Sequence, residues 1–240
     1  MTIKTLKIVF DIPLRPDQIK YWRGAIAEYA GWEDDRFHNH IEAHTYRYRF
    51  PTIMYRSEHN QAALWAWGEG VEAIQEMLLS PKNVLTMQGK TYRLHLIERH
   101  ILDIPLSMSD QSHPYFLHNW LALNEENFKK WDNLPSLTAR TAMLEQVLAS
   151  NIIAFAKAIH WQLPQRLEVT LLQIRSTHTV PHKGVPMVAF DVSFSANIVL
   201  PDGLGLGKAV SMGYGVVEPL RPKRPRKKVQ TRALAFGNFV

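Results

Sequence analysis

The chain has no cysteine among its 240 residues, which excludes a disulfide framework and a thiolate metal site and makes a reducing, cytoplasmic setting the expectation. It has no apolar run long enough to cross a bilayer, and Met1-Thr-Ile-Lys leads directly into a strand pattern without an apolar signal region. A soluble, intracellular protein with no membrane association is therefore expected. Acidic residues are lacking after Glu218, where seven of the 28 lysines and arginines stand, so the net charge of +6 belongs to the C-terminus and the rest of the chain is close to neutral. Glycine is scarce too: of 12 in the chain, five fall within the thirteen positions Gly203 to Gly215.

That concentration is the strongest local signal in the sequence. Glycine allows positive φ and lets a backbone approach another molecule without a Cβ in the way. The segment GLGLGKAVSMGYGVV, with Gly203, Gly205, Gly207, Gly213 and Gly215 around Lys208 and Ser211, suits a phosphate-bearing ligand. It is neither of two familiar nucleotide loops. A P-loop needs glycine five residues before the Gly-Lys pair and Ser or Thr after it, where Asp202 and Ala209 stand here. The Rossmann fingerprint also fails, because the spacing runs G-x-G-x-G and no acidic residue follows at a ribose-binding distance. The basic run Arg221, Lys223, Arg224, Arg226, Lys227, Lys228 comes directly after, and a cationic cluster beside such a loop favours a polyanion bound in a salt-sensitive way.

Periodicity supplies the fold. Leu6, Ile8, Phe10 and Ile12 alternate as one face of a strand, and Ile19, Trp22, Ile26 and Tyr29 recur at helical spacing up to Gly31. A polar connection, WEDDRFHNHIEAH, leads to an expected strand over 45–56, a returning strand over 62–67, a helix ended by Pro81, and a final hairpin of 84–87 with 90–100 about Gln88-Gly89. This β-α-β-β-α-β order is the ferredoxin-like unit. A second follows Pro105, with strands over 115–122, 167–175, 188–200 and 214–217 and a long helix from Ser136 to about His160. Where its second helix belongs, the sequence offers the glycine segment. The expectation is an α+β chain of two tandem ferredoxin-like (RRM-like) units with a C-terminal glycine-rich loop, divided as 1–103, 104–220 and a basic segment 221–240.

Within this frame, FHNH (Phe37 to His40), YRYRFPTIMYR (Tyr46 to Arg56), ALWAWGEGVEAIQEML (Ala63 to Leu78) and the glycine segment with its basic neighbour resemble the CRISPR-associated endoribonucleases that cut repeat RNA, the Cas6 family, and its b subgroup in particular. The resemblance spans both units. It implies a metal-independent cut within a CRISPR repeat, leaving a cyclic phosphate on one product and a 5′-hydroxyl on the other, with no cofactor. It also implies that the catalytic histidine lies just after the first helix, a position matched by His38 and His40, and that Gly203 to Gly215 help to hold the RNA.

Cleaving RNA through its own 2′-hydroxyl needs a base for that proton, an acid for the leaving 5′-oxygen and donors for charge on the phosphorane. Histidine, with a pKa of about 6.5, serves either proton role near neutral pH. Residues two apart in an extended segment face opposite ways, so only a turn would bring His38 and His40 to one phosphate. His44 is a third candidate. The H-x-H spacing also fits a metal, but with no cysteine and only His44 or distant carboxylates as a third ligand, no metal is expected. Phosphorane charge falls to Lys208, to N–H groups of the glycine loop, or to Arg47 and Arg49, and Arg221 to Lys228 would grip backbone phosphates without reading sequence. Trp65 and Trp67 are candidates for stacking on bases, against burial. CRISPR repeat RNA is the expected partner, with other CRISPR effector subunits beside it and a monomer or homodimer as the assembly. The competing reading is a non-catalytic subunit that holds guide RNA with the same loop and basic run; it has no need of the histidine pair.

Overall fold

The structure, a computed structural model, describes residues 1–38, 40–42, 45–46, 50–182 and 184–220, and of 40–42 and 45–46 it describes the backbone. The first unit runs β1 (Thr2–Pro13), α1 (Ile19–Ala30), β2 (His40–Glu42), β3 (Thr45–Tyr46), β4 (Ile53–Glu58), β5 (Gln61–Trp67), α2 (Glu69–Leu78), β6 (Val84–Met87), β7 (Lys90–Arg93) and β8 (Leu96–Pro105). After it come β9 (Met108–Trp120), α3 (Glu125–Asp132), α4 (Leu137–Ala158), β10 (Val169–His182), β11 (Val185–Ile198) and β12 (Val216–Pro219). The two four-stranded sheets have orders β4-β5-β1-β8 and β10-β11-β9-β12. Each places the unit's first strand between its third and its last, which is the ferredoxin-like arrangement expected from the sequence.

Side-chain alternation decides which face of the first sheet is covered. Leu6, Ile8, Phe10 and Ile12 of β1 meet Trp22 and Ile26 of α1 and Val71 and Ile74 of α2 in one core. In the second unit the stripe Leu144, Leu148, Ile152 and Phe155 of α4 packs with Leu117, Phe190, Val192 and Phe194. That core also takes in Ile3, Met54 and Trp67 from the first unit, so apolar contact runs across the joint. Side chains supply the helix caps where the sequence provides them: Ser136 accepts from the Ala139 N–H at the start of α4, and Asn124 from the Asn127 N–H at the start of α3. No helix among the described residues is long and apolar enough to cross a membrane.

Three expectations need correction. The strand predicted over 45–56 is not continuous: β3 is described over Thr45–Tyr46, Phe50 to Thr52 lie outside any strand, and pairing with β5 begins at Ile53. Pro51 lies in the gap and has no N–H to give a ladder. The final hairpin is likewise two things. β6 and β7 pair about Gln88 (φ 52°) and Gly89 (φ 74°), while β8 leaves to run antiparallel beside β1. Two positive φ values in a two-residue turn fit the twist of a tight hairpin. In the second unit β11 lies close to its predicted span, but β9 starts seven residues earlier and β10 runs seven residues further than expected, and β10 is mostly exposed, so its outer half lacks the apolar alternation that would reveal it.

Candidate active site

The segment after α1 is a braced turn. Gly31, at φ 102°, ends the helix, and main-chain bonds then close successive bends: Asp34 N–H to the Gly31 carbonyl at 3.2 Å, and Phe37 and His38 N–H to the Asp34 and Asp35 carbonyls at 3.3 Å each. Arg36 locks the turn from outside. Its Nε and Nη2 donate to the two Asp34 carboxylate oxygens at 2.9 and 2.7 Å, and Nη2 also reaches Glu76 on α2 at 2.5 Å. These bonds hold the Asp34 carboxyl below its ordinary value and push the Arg36 guanidinium up. Phe37 is buried, and the Tyr55 hydroxyl on β4 donates to its carbonyl at 2.9 Å. Burial raises the Tyr55 phenol, so it remains a neutral donor.

His38 lies within this turn, 6% exposed, with Nε2 2.6 Å from the Trp32 carbonyl and its ring against the Trp32 indole. A carbonyl only accepts, so Nε2 carries the proton. His40 opens β2 opposite Tyr46 in the short β2–β3 hairpin. Of the two histidines, the structure describes the side chain of His38 alone, and it is buried. Arg47, Arg49 and His44 lie outside the described residues, as do Arg221, Lys223, Arg224, Arg226, Lys227 and Lys228.

The glycine segment lies between the units. Its residues 210–212 form a short 3-10 turn where a second helix would stand. Gly203, at φ 75°, presses against Trp65 so closely that a Cβ would sit 2.0 Å from the ring. At Gly215, φ 64°, a Cβ would sit 1.8 Å from the Leu206 carbonyl. Gly205 backs onto Met54 and Gly207 onto Trp120, while Gly213 lies beside Ile19 and the main chain of Tyr55. The close approaches that demand glycine are thus made to this chain. Its N–H groups are largely committed as well: Gly203 to Val217, Leu206 to Gly215, Lys208 to Leu121, Gly213 to Val210 and Gly215 to Asn119. Lys208 and Ser211 are half-buried at its surface.

Arg56, buried at 7% exposure, ties this segment down by donating from Nη2 to the Gly203 carbonyl at 3.0 Å. Burial lowers its guanidinium to about 10, still charged at neutral pH. Sequence reasoning missed both Tyr55 and Arg56 as anchors; the only signal is their place at the end of the aromatic and basic run YRYRFPTIMYR. Beside Arg56 a cleft of about 500 Å³ opens between the units, lined among others by Lys7, Glu58, Trp65, His118 and Asp202. Trp67 is 2% exposed, so burial prevails over base stacking there, whereas Trp65 is half-buried, with Gly203 against its ring and the cleft beside it.

Sequence models of the Cas6b N-terminal and C-terminal domains match residues 1–102 and 107–220. An uncharacterized protein of Methanocaldococcus jannaschii is 31% identical over 102 residues, which are 42% of this chain and 68% of that protein. A crystal structure of Cas6b superposes with a TM-score of 0.80 at 23% identity, covering 92% of this chain and 100% of that one. A crystal structure of the CRISPR RNA processing endoribonuclease Cas6b gives 0.68 at 22% identity with the same coverage, 92% and 100%. Csf5, a CRISPR-Cas type IV Cas6 crRNA endonuclease, gives 0.52 at 14% identity over 91% of this chain and 99% of that one.

Proposed function

Since the chain belongs to the Cas6b family, we propose that it is a CRISPR RNA-processing endoribonuclease that cuts repeat RNA by attack of the 2′-hydroxyl on the adjacent phosphorus, with a histidine of the turn after α1 moving the proton. The bond to the 5′-oxygen breaks, leaving a 2′,3′-cyclic phosphate and a 5′-hydroxyl. The reaction asks for a group near neutral pKa at a fixed place rather than for a strong electrophile, and a braced turn that ends in His38 and His40 suits that demand.

The observation that carries the reading is this turn, held by Arg36 and Tyr55, in a chain matched over both units by the family. Between the two histidines we assign proton transfer to His40. His38 Nε2 is already bonded to the Trp32 carbonyl inside the turn, and that bond would have to break before the nitrogen could serve RNA. Its part is to hold the turn. Lys208 and Ser211 at the surface of the glycine segment, Arg47 and Arg49 after β3, and the basic residues Arg221 to Lys228 are assigned to the phosphates. The glycines act indirectly: Gly203, Gly205 and Gly213 let the segment lie against the first unit, Gly207 lets it lie against Trp120 of the second, and Gly215 lets it fold onto Leu206.

The test is cleavage of an end-labelled cognate repeat RNA in EDTA by the wild type, His40→Ala and His38→Ala, with analysis of product ends. Chelator-resistant cleavage to cyclic phosphate ends, at least about 100-fold slower in His40→Ala and less affected in His38→Ala, is the expected result. Tight, salt-sensitive binding without cleavage by the wild type would favour a subunit that only holds RNA, and cleavage abolished by EDTA would bring back a metal.

A further inference from the structure

We infer that Tyr55 is a positioning residue for the cleavage reaction, its buried hydroxyl fixing the turn from which His40 emerges. This rests on the proposed reading that a histidine of that turn moves the proton. Tyr55 is 1% exposed and held in the ladder opposite Leu64 of β5, so its ring starts from a rigid element. The hydroxyl donates at 2.9 Å to the carbonyl of Phe37, in the peptide unit that also contains the His38 N–H. That N–H is bonded to Asp35, and β2 begins two residues later at His40. At its other end, the main-chain carbonyl of Tyr55 lies 4.0 Å from where a Cβ on Gly213 would stand. One residue therefore meets the glycine segment with its main chain and the base of the histidine turn with its side chain.

Catalytic groups tolerate little displacement, and sites are placed best when second-layer bonds run back to strands and helices. Arg36 also braces the turn, but its carboxylate partners lie on the turn itself and on the exposed side of α2. Tyr55 is the brace that comes from within the sheet. Because its phenol stays protonated, the bond persists across the pH range in which a histidine titrates.

Tyr115 provides the control, since it too is buried and donates its hydroxyl to a main-chain carbonyl, that of Ile198, at 2.9 Å, but in the second unit. Single-turnover cleavage of saturating repeat RNA is measured for the wild type, Tyr55→Phe and Tyr115→Phe, together with RNA affinity and melting temperature. Both variants should melt earlier. Only Tyr55→Phe should lose rate, by about tenfold, one decade being the scale of a small misplacement, with affinity within about twofold of wild type. Installing 4-aminophenylalanine at position 55 returns a donor and should recover most of the rate; it also serves if the phenylalanine variant fails to fold. A wild-type rate in Tyr55→Phe, an equal loss in Tyr115→Phe, no recovery by the amino analogue, or full activity in His40→Ala would overturn the inference while leaving the endoribonuclease reading intact. No cleavage by the wild type would overturn both.

Discussion

Tyr55 and Arg56 are neighbours on β4 whose side chains leave it on opposite faces, one bonding the Phe37 carbonyl and the other the Gly203 carbonyl, 18 and 147 residues away in sequence. Strand alternation makes this possible: adjacent residues address the helix-covered face and the face that receives the second unit. A single strand thus registers the histidine turn and the glycine segment against each other. Arg56 does so as a buried cation whose hydrogen bonds go to a neutral carbonyl and the Met54 sulfur.

Arg56→Ala should accordingly separate the two units energetically. It removes a charge-assisted bond and leaves the Gly203 carbonyl without that donor, a loss of about 2–3 kcal/mol. Urea unfolding followed by a probe in each unit should change from one coincident transition towards two. A single transition at the wild-type midpoint would show that the shared apolar core holds the units together without Arg56.

The same contact argument applies to the glycines. Gly203→Ala places a methyl within 2.0 Å of Trp65 at φ 75°, so overpacking and backbone strain should add to about 3 kcal/mol or more. Gly184→Ala has a similar φ, 79°, but nothing within 4 Å of the new Cβ, and should cost about 1 kcal/mol from conformation alone. Thermal melts of the two variants check the ranking. RNA affinity of the folded fraction should be unchanged in Gly184→Ala, a glycine with no assigned part in holding RNA, and weakened in Gly203→Ala, where the clash displaces the segment that carries Lys208 and Ser211.

The framework was legible in the sequence because its signals are local. Leu6 to Ile12, the α1 spacing and the α4 stripe announce their elements by periodicity, and the missing second helix of the second unit was visible as glycine. What was not legible depends on distant partners. Gly203 needs to be glycine because Trp65 lies against it, and nothing near Gly203 in sequence says so. Tyr55 and Arg56 look like any other members of an aromatic and basic run until the fold assigns one to Phe37 and one to Gly203. Likewise nothing in FHNH foretells that the His38 ring bonds the Trp32 carbonyl, the contact on which we assign proton transfer to His40.

The ion pair that braces the histidine turn gives an acid-dependent stability. Asp34 has its carboxyl lowered from 3.8 by the Arg36 hydrogen bonds. A lowered folded value means that the stabilisation is complete above the unfolded value and is lost as pH falls through the folded one. Asp34→Asn should therefore be less stable than wild type by about 1 kcal/mol at pH 7, seen as a fall of about 2–4 °C in melting temperature. The gap should close progressively below about pH 4 as the wild-type carboxylate takes up its proton. A gap that persists at pH 2 would assign the effect to the main-chain bond from Arg36 rather than to charge.

Charge beyond Glu218 should govern how binding responds to salt. Seven basic residues stand there without an acidic one, and each phosphate neutralised on a single strand contributes about 0.7 to the slope of log affinity against log salt. Removing 221–240 should flatten that slope by up to about 5 and weaken binding most at low salt. The change should be nearly the same for cognate repeat and for unrelated RNA, because contacts to phosphates carry no base information. His40→Ala in the intact chain should show the reverse pattern, with slope and affinity kept and cleavage lost. Measuring both variants against both RNAs over a salt series separates the cations that gather RNA from the residue that cuts it; a tail deletion that abolished only cognate binding would mean that this segment reads sequence instead.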